Sequence, residues 1–293
     1  MSTNSTTGTS RRDADFNGAG ELQCRAHYRA LKSGELEDMQ SMMDYIKESG
    51  DPAIAYRWRR AVTDIKNILE TSAELYGDKP LFLQKFENDQ PFQEISYSKV
   101  LTDVDALGTA LIELGLKGKH VGVIGKNCYE WAESYLAVVC GTGVIVPLDK
   151  ELNEDELAHL TAGGELSAVI TMDKHYDMFK RIKDRDDNSL KLVINAGMHS
   201  HENEHKGLLS WHKLRERGYE LVEAGDRSFI DAEIVNTDLA VILFTSGTTG
   251  TSKGVMLNNK NICSNVMVAQ TFLNIKVGDV FFSVLPIHHT YEC

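Results

Sequence analysis

The sequence predicts an α/β fold, a doubly wound parallel sheet covered by helices. Three observations carry this. Short apolar runs recur at 121–125, 144–148, 168–171 and 192–195, continuous in the way of strands buried on both faces. Amphipathic stretches separate them, and strands that alternate with helices imply parallel pairing. Finally, 42% of the 293 residues are hydrophobic, ample for a large core, and the length alone suggests about two domains.

The elements follow in order. Residues 1–20 are Ser, Thr, Gly, Asn and charge, a composition that cannot bury a core and predicts disorder. From Glu21 to Gly50 the pattern turns helical, with Met39, Met42, Met43 and Ile46 on one stripe; a Met stripe reads as packing. Gly50-Asp51-Pro52 punctuates it. We place the boundary here, with 1–60 an N-terminal extension and 61–293 the main domain. A helix is expected over 61–75, a strand over 79–85 and a turn at 88–91. Val100, Val104, Leu107, Leu111 and Leu114 alternate by four and three, and Gly115 ends that helix. Asn127 with Glu130, and Asn153 with Glu156, read as capped helix starts. Arg181 to Asn188 is a charge run at a solvated helix end. His199, His201 and His205 form a compositional tract that is weak evidence for metal and reads as an exposed loop. A helix over 262–273 and a buried strand over 280–285 close the chain.

The net charge of -12 makes the chain a poor general partner for nucleic acid or an anionic membrane face. Any phosphate must be held by a local site. The five cysteines, Cys24, Cys128, Cys140, Cys263 and Cys293, include no C-x-x-C and read as reduced thiols of a cytoplasmic protein. No apolar run has the length of a transmembrane segment, and the N-terminus has no apolar core of an export signal. Peripheral membrane contact stays open.

The candidate site centres on Phe244-Thr245-Ser246-Gly247-Thr248-Thr249-Gly250-Thr251-Ser252-Lys253-Gly254-Val255, which follows the apolar run 239–244. Glycines let successive backbone N–H groups turn toward one point, making an anion nest. Hydroxyls add donors that rotate to suit phosphate oxygens, and lysine adds a mobile point charge. The P-loop pattern G-x-x-x-x-G-K-[ST] does not fit, because Lys253 lies between Ser252 and Gly254. The bland alternative is a Gly/Thr-rich surface turn.

In its residues this stretch resembles the signature loop of the adenylate-forming superfamily, an aromatic followed by T-S-G-T-T-G-x-P-K-G-V. Only Ser252 departs, standing where proline is usual; the change loosens the turn and removes no phosphate donor. Leu285-Pro286-Ile287-His288-His289-Thr290-Tyr291-Glu292 resembles the family's second motif, in the form of its fatty-acyl-CoA synthetase branch. The alternative there is a structural His pair at a strand end. The resemblance covers about 61–293.

The resemblance implies an incomplete adenylate-forming N-terminal domain without the C-terminal domain. The family's later Tyr-Gly-x-Thr-Glu motif, its ribose-binding aspartate and its C-terminal lysine do not occur in 1–293. It implies ATP-dependent activation of a carboxylic acid, expected to be a long-chain fatty acid, through an acyl-adenylate to a CoA thioester, with ATP, Mg2+ and CoA taking part. By family position Thr245, Ser246, Gly247, Thr248, Thr249, Gly250 and Lys253 would hold phosphates, with Thr248 also the magnesium contact. His288, His289 and Thr290 would line the acyl pocket, His289 nearest the reacting carboxylate. The alternatives are a catalytically incompetent nucleotide-binding or interaction module, or an adenylating enzyme with a carrier-protein acceptor.

Overall fold

A computed structural model describes residues 62–86, 89–197, 207–245, 252–269 and 278–289. The helix expected within 21–50 and the His199–His205 tract lie outside these residues. Val62–Val266 with Ile275–Cys293 forms one compact unit, and the elements below build it.

Helix α1 spans Ile65–Tyr76, and Asp64 caps it by accepting from the Asn67 N–H at 2.8 Å. Strands β1 (Pro80–Gln84) and β2 (Gln93–Ser96) form an antiparallel hairpin. Helix α2, Tyr97–Glu113, starts at the Ser96 cap, and Gly115 follows it at φ +78, donating to the Ile112 carbonyl at 2.8 Å. Then come β3 (His120–Ile124), α3 (Tyr129–Ala137), β4 (Val144–Leu148), α4 (Glu154–Gly163), β5 (Leu166–Thr171) and α5 (Tyr176–Lys183). Strands β6 (Leu192–Asn195) and β7 (Leu208–Ser210), helix α6 (Trp211–Glu223), strands β8 (Leu239–Thr245) and β9 (Lys253–Asn258) and helix α7 (Asn259–Ala269) complete the order.

Among the described residues seven strands form one sheet in the order β7-β6-β5-β3-β4-β8-β9, parallel except for the β8–β9 pair. Alternate side chains go to opposite faces, as the pleat requires. Val121, Val123, Ile145, Ile170, Ile194, Val241 and Leu243 join the core that packs α1, α2, α3 and α6. Ile124, Val146, Leu148, Val169, Val193 and Ile242 join the core under α4 and α5. The expected doubly wound α/β architecture is therefore present.

Particular elements differ from the sequence reading. The Asn153–Glu156 capping box forms as expected. Asn127 does not cap α3: the first helical residue is Tyr129, and its N–H is met from another element by the Gln84 side chain, which also donates to Glu130 at 3.2 Å. Arg181 and Arg185, in the charge run, pair with Glu154 across from α5 to α4. The expected buried strand over 280–285 is overturned. Phe281 and Phe282 are 70% and 81% exposed and pair with no described strand; an apolar run becomes a strand only where an unpaired edge accepts it. Among the described residues no helix is long and apolar enough to cross a membrane, and Cys128, Cys140 and Cys263 are free thiols.

A polar cluster is buried between α2, α3 and α6. Asp103 accepts from Lys99, from Tyr219 and, at 2.7 Å, from the Tyr129 hydroxyl. Arg215 donates to Glu133 at 3.0 Å, lies 3.7 Å from Asp103 and stacks on Trp211 at 4.6 Å. Trp211 in turn donates from Nε1 to Ser134 at 2.9 Å. Burial pushes the Glu133 carboxyl up to about 8, against the pull of Arg215. The native state thus holds a proton on Glu133 that the unfolded chain releases near pH 4.5, so this contribution to stability falls as pH rises from about 4.5 to about 8. Glu133→Gln keeps a neutral group there. Its melting temperature relative to the parent should climb across that window and level off above it, whereas a constant difference from pH 4 to 9 would contradict the protonated Glu133.

Helices α2 and α6 approach closely because Gly218 has no Cβ; one added there would be driven into the Ala106 carbonyl oxygen. Gly218→Ala should cost about 1–3 kcal/mol by overpacking, measured by urea unfolding; no loss would mean the helices part freely.

Candidate functional site

Strands β3, β4 and β8 are neighbours and run parallel, so their carboxyl ends lie along one edge. Ligands of such sheets gather there. Three groups of residues occupy this edge.

At the end of β8 lies Thr245. Strand β9 returns antiparallel, with Thr245 directly opposite Lys253 and Phe244 opposite Gly254. The described ends of the glycine-rich stretch, Thr245 and Lys253, are thus cross-strand partners, both exposed. The Thr245 hydroxyl lies 3.5 Å from the Lys253 carbonyl, as donor to acceptor. A Cβ on Gly254 would sit 3.1 Å from the Ile242 side chain, tighter than ordinary contact, so the position suits glycine. Ser246, Gly247, Thr248, Thr249 and Gly250 lie outside the described residues.

The base of this strand pair is anchored from behind. The buried Lys66 ammonium on α1 donates to the carbonyls of Phe229, Ile230 and Ala232 at 3.2, 2.8 and 2.9 Å, fixing the turn that precedes β8. Asn259, just after β9, accepts from the Ile65 N–H at 3.0 Å. A buried ammonium is tolerated because its donors are satisfied.

At the end of β4, Asp149 lies 3.6 Å from Nε2 of His288. The His288 side chain is 18% exposed, and burial lowers its pKa while Asp149 opposes the shift. His289 is exposed, its N–H donating to the Pro286 carbonyl at 2.9 Å. The structure thus brings His288, rather than His289, against another side chain; Thr290 lies outside the described residues.

Just past β3, Asn127 reaches the same segment. Its Nδ2 donates to the Ser283 hydroxyl at 2.8 Å and to the Leu285 carbonyl at 2.7 Å, and its Oδ1 accepts from the Ile287 N–H at 3.2 Å. Sequence reasoning missed Asn127 and Asp149 as site residues. Their available signal was position, polar side chains directly after buried parallel strands.

The family model described as AMP-binding enzyme matches residues 69–293. The chain belongs to the AMP-binding enzyme family. It is 28% identical over 231 residues to long-chain-fatty-acid–CoA ligase 1 of Cavia porcellus, covering 70% of this chain and 30% of that protein. It is 26% identical over 273 residues to a chloroplastic long-chain-fatty-acid–[acyl-carrier-protein] ligase of Arabidopsis thaliana, covering 89% and 37%. The solved long-chain-fatty-acid-CoA ligase of Archaeoglobus fulgidus matches with a TM-score of 0.65 at 20% identity, covering 79% of this chain and 43% of that chain, a likeness of fold. The chain spans about a third of the length of the curated relatives it matches.

Asp149→Asn tests the His288 contact. Removing the carboxylate takes away the charge that holds the His288 pKa up, so its NMR titration should move to lower pH. An unmoved midpoint would show that the two side chains do not meet in solution.

Proposed function

We propose that this chain takes part in ATP-dependent activation of a carboxylic acid, a long-chain fatty acid by the names of its relatives. The observation that carries the reading is the twelve-residue signature of residues 244–255, whose two ends pair as antiparallel strands at the carboxyl edge of the sheet. Lys253 and the hydroxyl and backbone donors of Thr245 to Gly250 would hold the β- and γ-phosphates. They would neutralise charge on the leaving pyrophosphate while the acid is aligned on the α-phosphorus. The acid oxygen forms the new bond to that phosphorus as its bond to the bridging oxygen breaks, giving acyl-adenylate and pyrophosphate. A thiol then takes the acyl group and AMP leaves.

His288 and His289, with Thr290, would bound the acid end of the site, and Asp149 would orient His288. CoA is the acceptor we favour; the likeness to a carrier-protein ligase supports the second acceptor. Magnesium would accompany ATP, with Thr248 as the contact implied by resemblance. The reading fits a cytoplasmic protein.

Lys253→Ala should weaken ATP binding to the chain roughly ten- to a hundred-fold, the worth of one charge-assisted hydrogen bond, with fatty-acid binding unchanged; titration calorimetry reads both. Equal ATP affinity would remove Lys253 from the phosphate site. Fatty-acid-dependent ATP–pyrophosphate exchange tests the reaction. Nucleotide binding without exchange for any acid would leave the alternative, a nucleotide-binding module.

A further inference from the structure

We infer that Asn127 is a positioning residue: its side-chain amide fastens residues 283–288 over the carboxyl ends of β3 and β4. The three hydrogen bonds go to residues 283, 285 and 287, every second residue. One of the three is to a side-chain hydroxyl, at Ser283, and two are to the backbone, at Leu285 and Ile287, where the chain bends into the turn closed by the His289 N–H and the Pro286 carbonyl. A primary amide carries the same donor and acceptor as a peptide group, so Asn127 can serve both the Leu285 carbonyl and the Ile287 N–H. These bonds tie residues 283–287 to the end of β3 although they join no described ladder.

Residue 286 is proline and has no N–H, so a slip that brought residue 286 to Oδ1 would leave it facing a nitrogen that cannot donate. In the observed register Ile287 packs against the core on the α1–α2–α3–α6 side, and the next residue, His288, meets Asp149. Asn127 itself is held by its approach. Gly125, at φ +156, turns the chain out of β3 where a Cβ would strike Met172, and Gln84 meets the first N–H of α3, leaving the Asn127 amide for the segment. Service of this segment to acid activation rests on the function proposed above; the fastening does not.

The experiment is hydrogen exchange by mass spectrometry on the whole 293-residue chain, comparing the parent with Asn127→Ala, Asn127→Asp and Ser283→Ala. Asp keeps the size and acceptor of Asn but points a carboxylate oxygen at the Leu285 carbonyl. Both Asn127 variants should therefore speed exchange of 283–289 about ten-fold or more, with β3 and β4 still protected. Ser283→Ala, which removes one bond from an exposed site, should speed it less. Should the Asn127 variants unfold, Ser283→Ala decides alone. Unchanged exchange of 283–289 in every folded variant overturns the inference, as does parent-like exchange in the Asp variant, because shape rather than donation would then be holding the segment. Where the parent catalyses fatty-acid-dependent exchange, Asn127→Asp should raise the KM for acid and leave the KM for ATP unchanged; equal rises in both would overturn the positioning role. A parent without exchange activity would sink the proposed function, while the hydrogen-exchange result still decides Asn127.

Discussion

Strands β3, β4 and β8 lie side by side and point the same way, and the candidate site depends on that. Parallel strands buried on both faces cannot be joined by tight turns, so each connection must leave the sheet, cross a face as helix and return. The price is a core of nearly uninterrupted apolar residues. The return is that polar groups can be set only at strand ends, and these chains of β-branched residues deliver Asn127, Asp149 and Thr245 to one edge. The cores on the two faces, with Trp131 and Trp211 buried on one and Phe179 on the other, pack the sheet behind that edge.

The supports behind the edge are polar, and each is satisfied in a different way. Lys66 uses three backbone carbonyls, Asp103 uses two tyrosine hydroxyls and a lysine, and Gln84 serves both the N–H of Tyr129 and the carboxylate of Glu130. Arg215 leaves its buried Nε without a hydrogen-bond partner among the described residues, and Glu133 is a second exception. One of its oxygens is buried with no hydrogen-bond partner among the described residues, which fits a carboxyl that keeps its proton. Buried polar groups of this kind add directional constraint where apolar packing alone would let helices slide.

How much was legible followed from how local each signal was. Val144–Leu148 and Leu192–Asn195 were readable because continuous burial leaves a continuous apolar run, and Asn153 with Glu156 because a capping box is closed within four residues. Helix α6 escaped because only Trp211, Leu214 and Gly218 of it are buried, and a glycine at a helix contact carries no hydrophobic signal. Strand β9 escaped because its evidence is its pairing with β8 rather than its composition. Asn127 looked like a cap because a cap and a cross-chain clamp use the same residue type; what decides is Gln84, which lies 45 residues away from Tyr129 in sequence. The signature of 244–255 was legible in full as a pattern, but nothing in it disclosed that its two ends pair as antiparallel strands.

That pairing has a consequence for how the lysine is aimed. Thr245 and Lys253 are cross-strand partners, so they share a face, and by the pleat it is the face of Val241 and Leu243 rather than of Ile242. The direction of the charge is thus a matter of parity. One residue inserted inside β9 would carry Lys253 to the opposite side of the sheet without altering a single residue of the signature, whereas two would restore its side. Sequence variation in this strand should therefore be tolerated in even steps and not in odd ones.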